Sequence, residues 1–174
     1  MLLEFPHPDR VSVGALGEVG HRTFVLQVRQ REQLAAVEIG RDAVISVARR
    51  IDSLLEEAVL LGWLGAPQQD TRPDLRPLEE PLVVLFSVRA VGWALDTARG
   101  AIQLELFAGS SDCDATELDT IIQIWLYPRM AREFSARVAH VIATVDPPCP
   151  FCAQPVHAAG HICPRANGYR APLF

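Results

Sequence analysis

Lysine is absent from this chain: all sixteen basic residues are arginine. Against them stand 21 acidic residues, for a formal charge of −5. That balance argues against tight, nonspecific nucleic-acid binding, which depends on neutralising phosphates. A local arginine patch remains compatible with it. Long apolar runs are missing too. None reaches the roughly 18 residues of a membrane-spanning helix, so no membrane partner is expected. The opening Met-Leu-Leu-Glu-Phe-Pro-His-Pro lacks a basic n-region and a long apolar h-region, so it does not read as a signal peptide. No nucleophile and base stand in an obvious pair, so an enzyme is the less favoured expectation.

What is present is enough for a folded protein. The 174 residues, 49% of them apolar, suffice for one core, or for one core plus a small metal module. Cysteine is scarce but concentrated. Three of the four cysteines and two of the five histidines lie between Cys149 and Cys163. Cys149 and Cys152 form a Cys-x-x-Cys hook, a spacing that lets two thiolates curl around one zinc ion. His161 and Cys163 supply a second pair, so Cys149, Cys152, His161 and Cys163 make a Cys₃His set without an open position for water. This is the signature of structural zinc. His157 is the alternative histidine. A redox dithiol would need a helix starting at the second cysteine, and prolines at 147, 148, 150 and 155 oppose one. A disulfide would suit an exported chain. Clustered thiols suit a reducing cytoplasm. Cys113, far from the cluster, reads as a lone loop thiol.

The rest of the chain changes period in an orderly way. Residues 2–5, 11–16, 23–29 and 34–39 have strand character. Phe24, Leu26 and Val28 alternate with Val25 and Gln27, and the group reads as an antiparallel meander. From about 41 to 61 the period becomes helical: Val44, Val47, Ala48, Ile51, Leu54, Leu55 and Ala58 form one stripe, with Gly62 as the stop. Residues 65–80 read as a surface loop or linker. Strands resume over Leu82–Leu95, at 102–106 and at 119–127. The first of these is apolar on both faces, which predicts that both are buried, by the helices or by a second copy in a homodimer. Pro128 opens a second helix at its first position, with Phe134, Val138, Val141, Ile142 and Val145 as its stripe. Trp93, Trp125 and Phe134 are read as core residues.

The expected fold is therefore α+β: two antiparallel β-meander-plus-helix units with a small C-terminal zinc knuckle. Residues 1–146 form the core, as a pseudo-repeat of 1–64 and 81–146 around loop 65–80. Residues 147–174 are the knuckle tail.

Several stretches resemble a known family. They are Pro8-Asp-Arg10, Gly17-Glu-Val-Gly-His-Arg-Thr-Phe24, Leu26-Gln27, Glu80-Pro-Leu82 and, most specific, the tail. The tail motif runs from Pro148-Cys-Pro-Phe-Cys152 through Gly160-His-Ile-Cys-Pro-Arg-Ala-Asn-Gly-Tyr169. On these residues the chain resembles an uncharacterised, mainly actinobacterial domain of unknown function, also described as an uncharacterised repeat protein. The resemblance covers nearly the whole chain. It departs at Ala153, where the family usually has glycine, and at Val19, where proline is usual. The resemblance implies a neighbourhood of histidine-phosphatase-like and phosphoinositide-kinase-like proteins, hence a protein partner or a phosphorylated small molecule. It implies no activity.

The favoured expectation is a zinc-stabilised binding or adaptor protein, with Arg22, Arg165, Asn167 and Tyr169 as candidate ligand or partner contacts. Arginine suits planar carboxylates and phosphates, and Asn167-Gly168 signals a tight turn. For these tail residues the favoured reading is structural: a turn tying the tail back onto the sheet, with Tyr169 packed and Arg165 paired to a carboxylate. The alternative is an enzyme acting on a phosphorylated or carboxylated small molecule through the loop Glu18-Val-Gly-His-Arg22. A nucleic-acid binder using the knuckle and Arg165 ranks third.

Overall fold

The computed structural model describes residues 1–17, 22–65, 71–109 and 120–145, and in the tail residues 149, 151, 152, 156, 163 and 165. Seven strands and two helices follow one another in it: β1 (Leu2–Phe5), β2 (Arg10–Leu16), β3 (Thr23–Gln30), β4 (Gln33–Ile39), α1 (Arg41–Leu60), β5 (Val84–Asp96), β6 (Ala101–Ala108), β7 (Ile121–Leu126) and α2 (Pro128–Val145). The architecture is α+β, with a mostly antiparallel sheet. Helix α1 buries the stripe the periodicity predicts, Val44, Val47, Ala48, Ile51, Leu54, Leu55 and Ala58. It stops where Gly62 adopts φ +74, a conformation that costs glycine little.

The strands do not form two separate meanders. They make one seven-stranded sheet in the order β1-β7-β6-β5-β4-β3-β2. Strand β1, expected beside β2 and β3, pairs in parallel with β7 instead, Leu3 opposite Ile122 and Phe5 opposite Ile124. The prolines at 6 and 8 explain the difference: they cannot donate to a ladder, so the strand breaks and the chain changes neighbours.

This break has a geometric consequence. A flat sheet of seven strands would hold its outer strands roughly 29 Å apart. The chain from Phe5 to Arg10 can reach at most about 18 Å. The sheet must therefore curl until its ends approach. Contacts at the break agree. The His7 N–H donates to Gln30 Oε1 at 2.7 Å and the Asp9 N–H to the Arg29 carbonyl at 2.8 Å. The Tyr127 hydroxyl, just past β7, lies 3.0 Å from His7 Nδ1. Strand β5 makes the matching transition on the other side. Its start pairs in parallel with β4, Ala36 opposite Val84 and Glu38 opposite Ser87. From Val88 onward it pairs antiparallel with β6. Register shifts mark both pairings of β5, as expected where a strand bends between two parts of a sheet.

One hydrophobic cluster joins both halves. It contains Val13, Leu26 and Val37 from β2–β4, Leu104 and Ile124 from β6 and β7, and Ile51 and Phe134 from the helices. The start of β5 stays outside it. Val83 is 63% exposed, Val84 42% and Leu85 43%, so the expectation that the chain's own helices bury both faces of this strand fails. The helices lie over β2, β3 and β6, and against each other, leaving that end of the strand uncovered.

Residues 71–80 form a surface loop, one of the two readings of 65–80, and that loop is strapped to the sheet. The reason lies in polar residues on the sheet face opposite the core. Arg10, only 7% exposed, donates from Nε to Asp74 at 2.7 Å, from Nη1 to the Pro77 carbonyl and from Nη2 to the Arg76 carbonyl. The Gln27 amide both donates to the Glu79 carbonyl and accepts the Glu79 N–H. Gly14 leaves room for Leu78, whose Cδ1 lies 2.9 Å from where a Cβ would stand. From α2, the buried Arg137 donates to the Val13 carbonyl at 2.5 Å and to the Asp74 carbonyl. Burial pushes the Arg137 pKa down, yet arginine stays charged.

Asp74 is held well below the usual carboxylate range by hydrogen bonds from Arg76 and then Arg10, against the opposing effect of burial. A carboxylate with a lowered folded pKa adds stability above its unfolded value, about 4. That stability is lost as pH falls toward the folded value. Asp74→Asn is expected to cost about 2 kcal/mol at pH 7, read by urea unfolding. The gap to the parent should narrow below about pH 4. A gap unchanged down to pH 2 would mean that the charge of Asp74 is not its source.

Candidate metal centre

Cys149, Cys152 and Cys163 are brought together by the tail. Their sulfur atoms all lie within 4.8 Å of one another. Cys149 Sγ and Cys163 Sγ are 3.8 Å apart, far beyond the ~2.05 Å of a disulfide. A tetrahedral ion with metal–sulfur bonds of about 2.3 Å separates its sulfurs by about 3.8 Å. The three thiols are therefore placed to hold one metal ion. Cys149 and Cys163 are each 6% exposed, and Cys152 is half-buried. Cys149 and Cys163 are shielded from solvent, whereas Cys152 is partly accessible.

The hook is braced by Arg165, for which the sequence favours a structural role over recognition. Arg165 Nη1 donates to the Phe151 carbonyl at 3.1 Å. This ties the chain after Cys163 to the turn between the first two cysteines. Phe151 itself is 61% exposed. Among the other candidates, His161, Asn167 and Tyr169 lie outside the described residues, as do His157, Cys113 and Ala153. Of the loop Glu18-Val-Gly-His-Arg22, only Arg22 is described. It is half-buried, and its Nε has no hydrogen-bond partner. Nothing among the described residues joins Arg22 to Arg165.

A second polar array went unnoticed in the sequence. It lies on the sheet face away from the core. Trp125 is buried, as expected, but outside the hydrophobic cluster. Its indole N–H donates to Asp96 at 3.1 Å, and the Arg99 guanidinium sits 5.1 Å from its ring centroid. The Arg99 hydrogen bonds hold Asp96 below the usual carboxylate range. Next to it, the Glu105 carboxylate accepts from the amides of Gln103 and Gln123, over Gly92, where a Cβ would meet Glu105 Oε2 at 2.9 Å. Strict alternation along β6 and β7 was the available signal: Gln103, Glu105, Gln123 and Trp125 all fall on the non-core positions.

A family model described as "Protein of unknown function (DUF3090)" matches residues 3–163. The chain belongs to that family. No curated protein and no solved structure gives a significant match. No helix among the described residues is long and apolar enough to cross a membrane.

Metal analysis of protein purified under reducing conditions is expected to find about one ion per chain. The double variant Cys149→Ala, Cys163→Ala should lose it. Retention of the metal by that variant would sink the assignment.

Proposed function

We propose that this DUF3090-family protein is a zinc-stabilised binding or adaptor protein. Cys149, Cys152, Cys163 and His161 hold one structural zinc, with His157 as the other possible histidine ligand. The carrying observation is the cluster of three thiols with a sulfur–sulfur separation of 3.8 Å. Zinc fits a thiolate-rich tetrahedral set, and a four-ligand site leaves no position for catalytic water. Reduced, clustered thiols also suit the cytoplasm.

The binding role is supported by what the metal would stiffen. The hook carries an exposed aromatic residue, Phe151, and an arginine hydrogen-bonded to it. Preordering such a turn lowers the entropy cost of association. Arg165 keeps guanidinium donors for a carboxylate or phosphate on a protein partner. Asn167, Tyr169 and Arg22 remain further candidate contacts on sequence grounds. A homodimer is a further proposal, resting on the exposed start of β5.

The test compares three forms of the full chain: zinc-loaded, zinc-stripped and Arg165→Ala. Pull-down from native cells should recover a common partner with the loaded form and not with the other two. Arg165→Ala should leave the melting temperature within about 2 °C, as for an exposed residue. Turnover of a phosphorylated metabolite, abolished by Arg22→Ala and indifferent to zinc, would replace this reading by the enzymatic one. Chelation should loosen the tail first, with residues 1–146 retaining most of their far-ultraviolet circular dichroism. Collapse of the whole chain would place the knuckle within the core. Light scattering at micromolar concentration checks the dimer, and a monomer there removes it.

A further inference from the structure

The metal hook is unevenly protected. Cys149 and Cys163 are 6% exposed, whereas Cys152 is half-buried. All three sulfurs nevertheless lie within 4.8 Å of one another. Cys152 is thus the most accessible of three thiols whose sulfurs lie close together. This is the arrangement of a reactive thiol with resolving partners, in which exposure selects the site of attack and proximity determines its fate.

We propose that Cys152 is a site of reversible oxidation by hydroperoxides, resolved by Cys149 or Cys163, and that this oxidation discharges the metal. The proposal rests on the metal reading above for its second half only. In the first step the Cys152 thiolate attacks a peroxide oxygen. A sulfur–oxygen bond forms, the oxygen–oxygen bond breaks and hydroxide leaves, giving a sulfenic acid. In the second step a neighbouring thiolate attacks the oxidised sulfur, and a second hydroxide leaves as the disulfide forms. Two thiolates lose two electrons in total, and one hydrogen peroxide becomes two hydroxides. The metal loses two of its sulfur donors and its site with them.

Two features assist this chemistry. Arg165 donates to the carbonyl of Phe151, the residue before Cys152, and so brings a positive charge beside the hook. Residues 147–174 contain no aspartate or glutamate, although the chain has 21 acidic residues. The hook's own segment therefore carries no acidic side chain. Closing the disulfide requires sulfurs now up to 4.8 Å apart to approach to ~2.05 Å, a shift of the size that side-chain rotation supplies.

The experiment uses the full chain, reduced, with its metal content measured first. One equivalent of hydrogen peroxide is added in the presence of a chromogenic zinc chelator, and the product is mapped by peptide mass spectrometry. The expected result is a single disulfide containing Cys152 and release of the ion in step with it. Both should reverse on adding dithiothreitol and zinc. Cys152→Ser should slow disulfide formation at least tenfold, because the remaining thiols are buried. If the reduced protein holds no metal but the same disulfide forms, the oxidation site stands and the zinc reading fails. Oxidation of Cys113 or the methionines ahead of the hook would overturn the proposal. So would conversion of Cys152 to sulfinic acid without a disulfide, or a disulfide limited to Cys149 and Cys163.

Discussion

A buried guanidinium holds this fold together at one edge. Arg137 rises from α2, crosses the outer strand β2 and donates to the backbone carbonyls of Val13 and Asp74. Two main-chain acceptors cannot cancel its charge. The attractive charge acting on it is that of Asp74, which Arg10 and Arg76 hold in ion pairs, and the repulsion from Arg10 is the stronger of the two. Four pieces of chain far apart in sequence therefore depend on one another: α2, β2, the strap from residue 71 and, through Gln27 and Glu79, β3. Removing Asp74 from this set costs about 2 kcal/mol, because the buried guanidiniums lose the carboxylate they face.

The second constraint is the curl of the sheet. A four-residue break at Pro6–Asp9 joins the strands at the two ends of a seven-stranded sheet. On the opposite side the bent β5 carries the chain between the two halves. Together these transitions direct the core residues of both halves onto one cluster with α1 and α2. The face left over is not featureless. On one half the strap covers it, and on the other it presents Trp125, Glu105 and the two glutamines.

The tail works by different physics. Cys149, Cys152 and Cys163 come from a proline-rich stretch, and their sulfurs are placed to hold a metal ion there. A module held this way is sensitive to the chemistry of its ligands. Thiolate is the form that binds a metal and also the form that reacts with oxidants. Metal binding and reaction with an oxidant would thus draw on the same three sulfurs.

Periodicity made much of the secondary structure legible. The seven buried positions of α1 are the seven that its apolar spacing marks, and Pro128 opens α2. The cysteine spacing located the candidate site, because ligands so close in sequence need only a local turn to meet. What sequence could not determine depends on partners distant along the chain. Nothing local tells that residues 2–5 pair with a strand more than a hundred positions away. Nothing local tells that Arg10 and Arg137, ordinary charged residues by pattern, are buried against a stretch that reads as a loop. Apolar alternation records which face a strand buries, but not its neighbour in the sheet. A polar side chain becomes structural only when the fold removes water from around it, and that removal is decided in three dimensions.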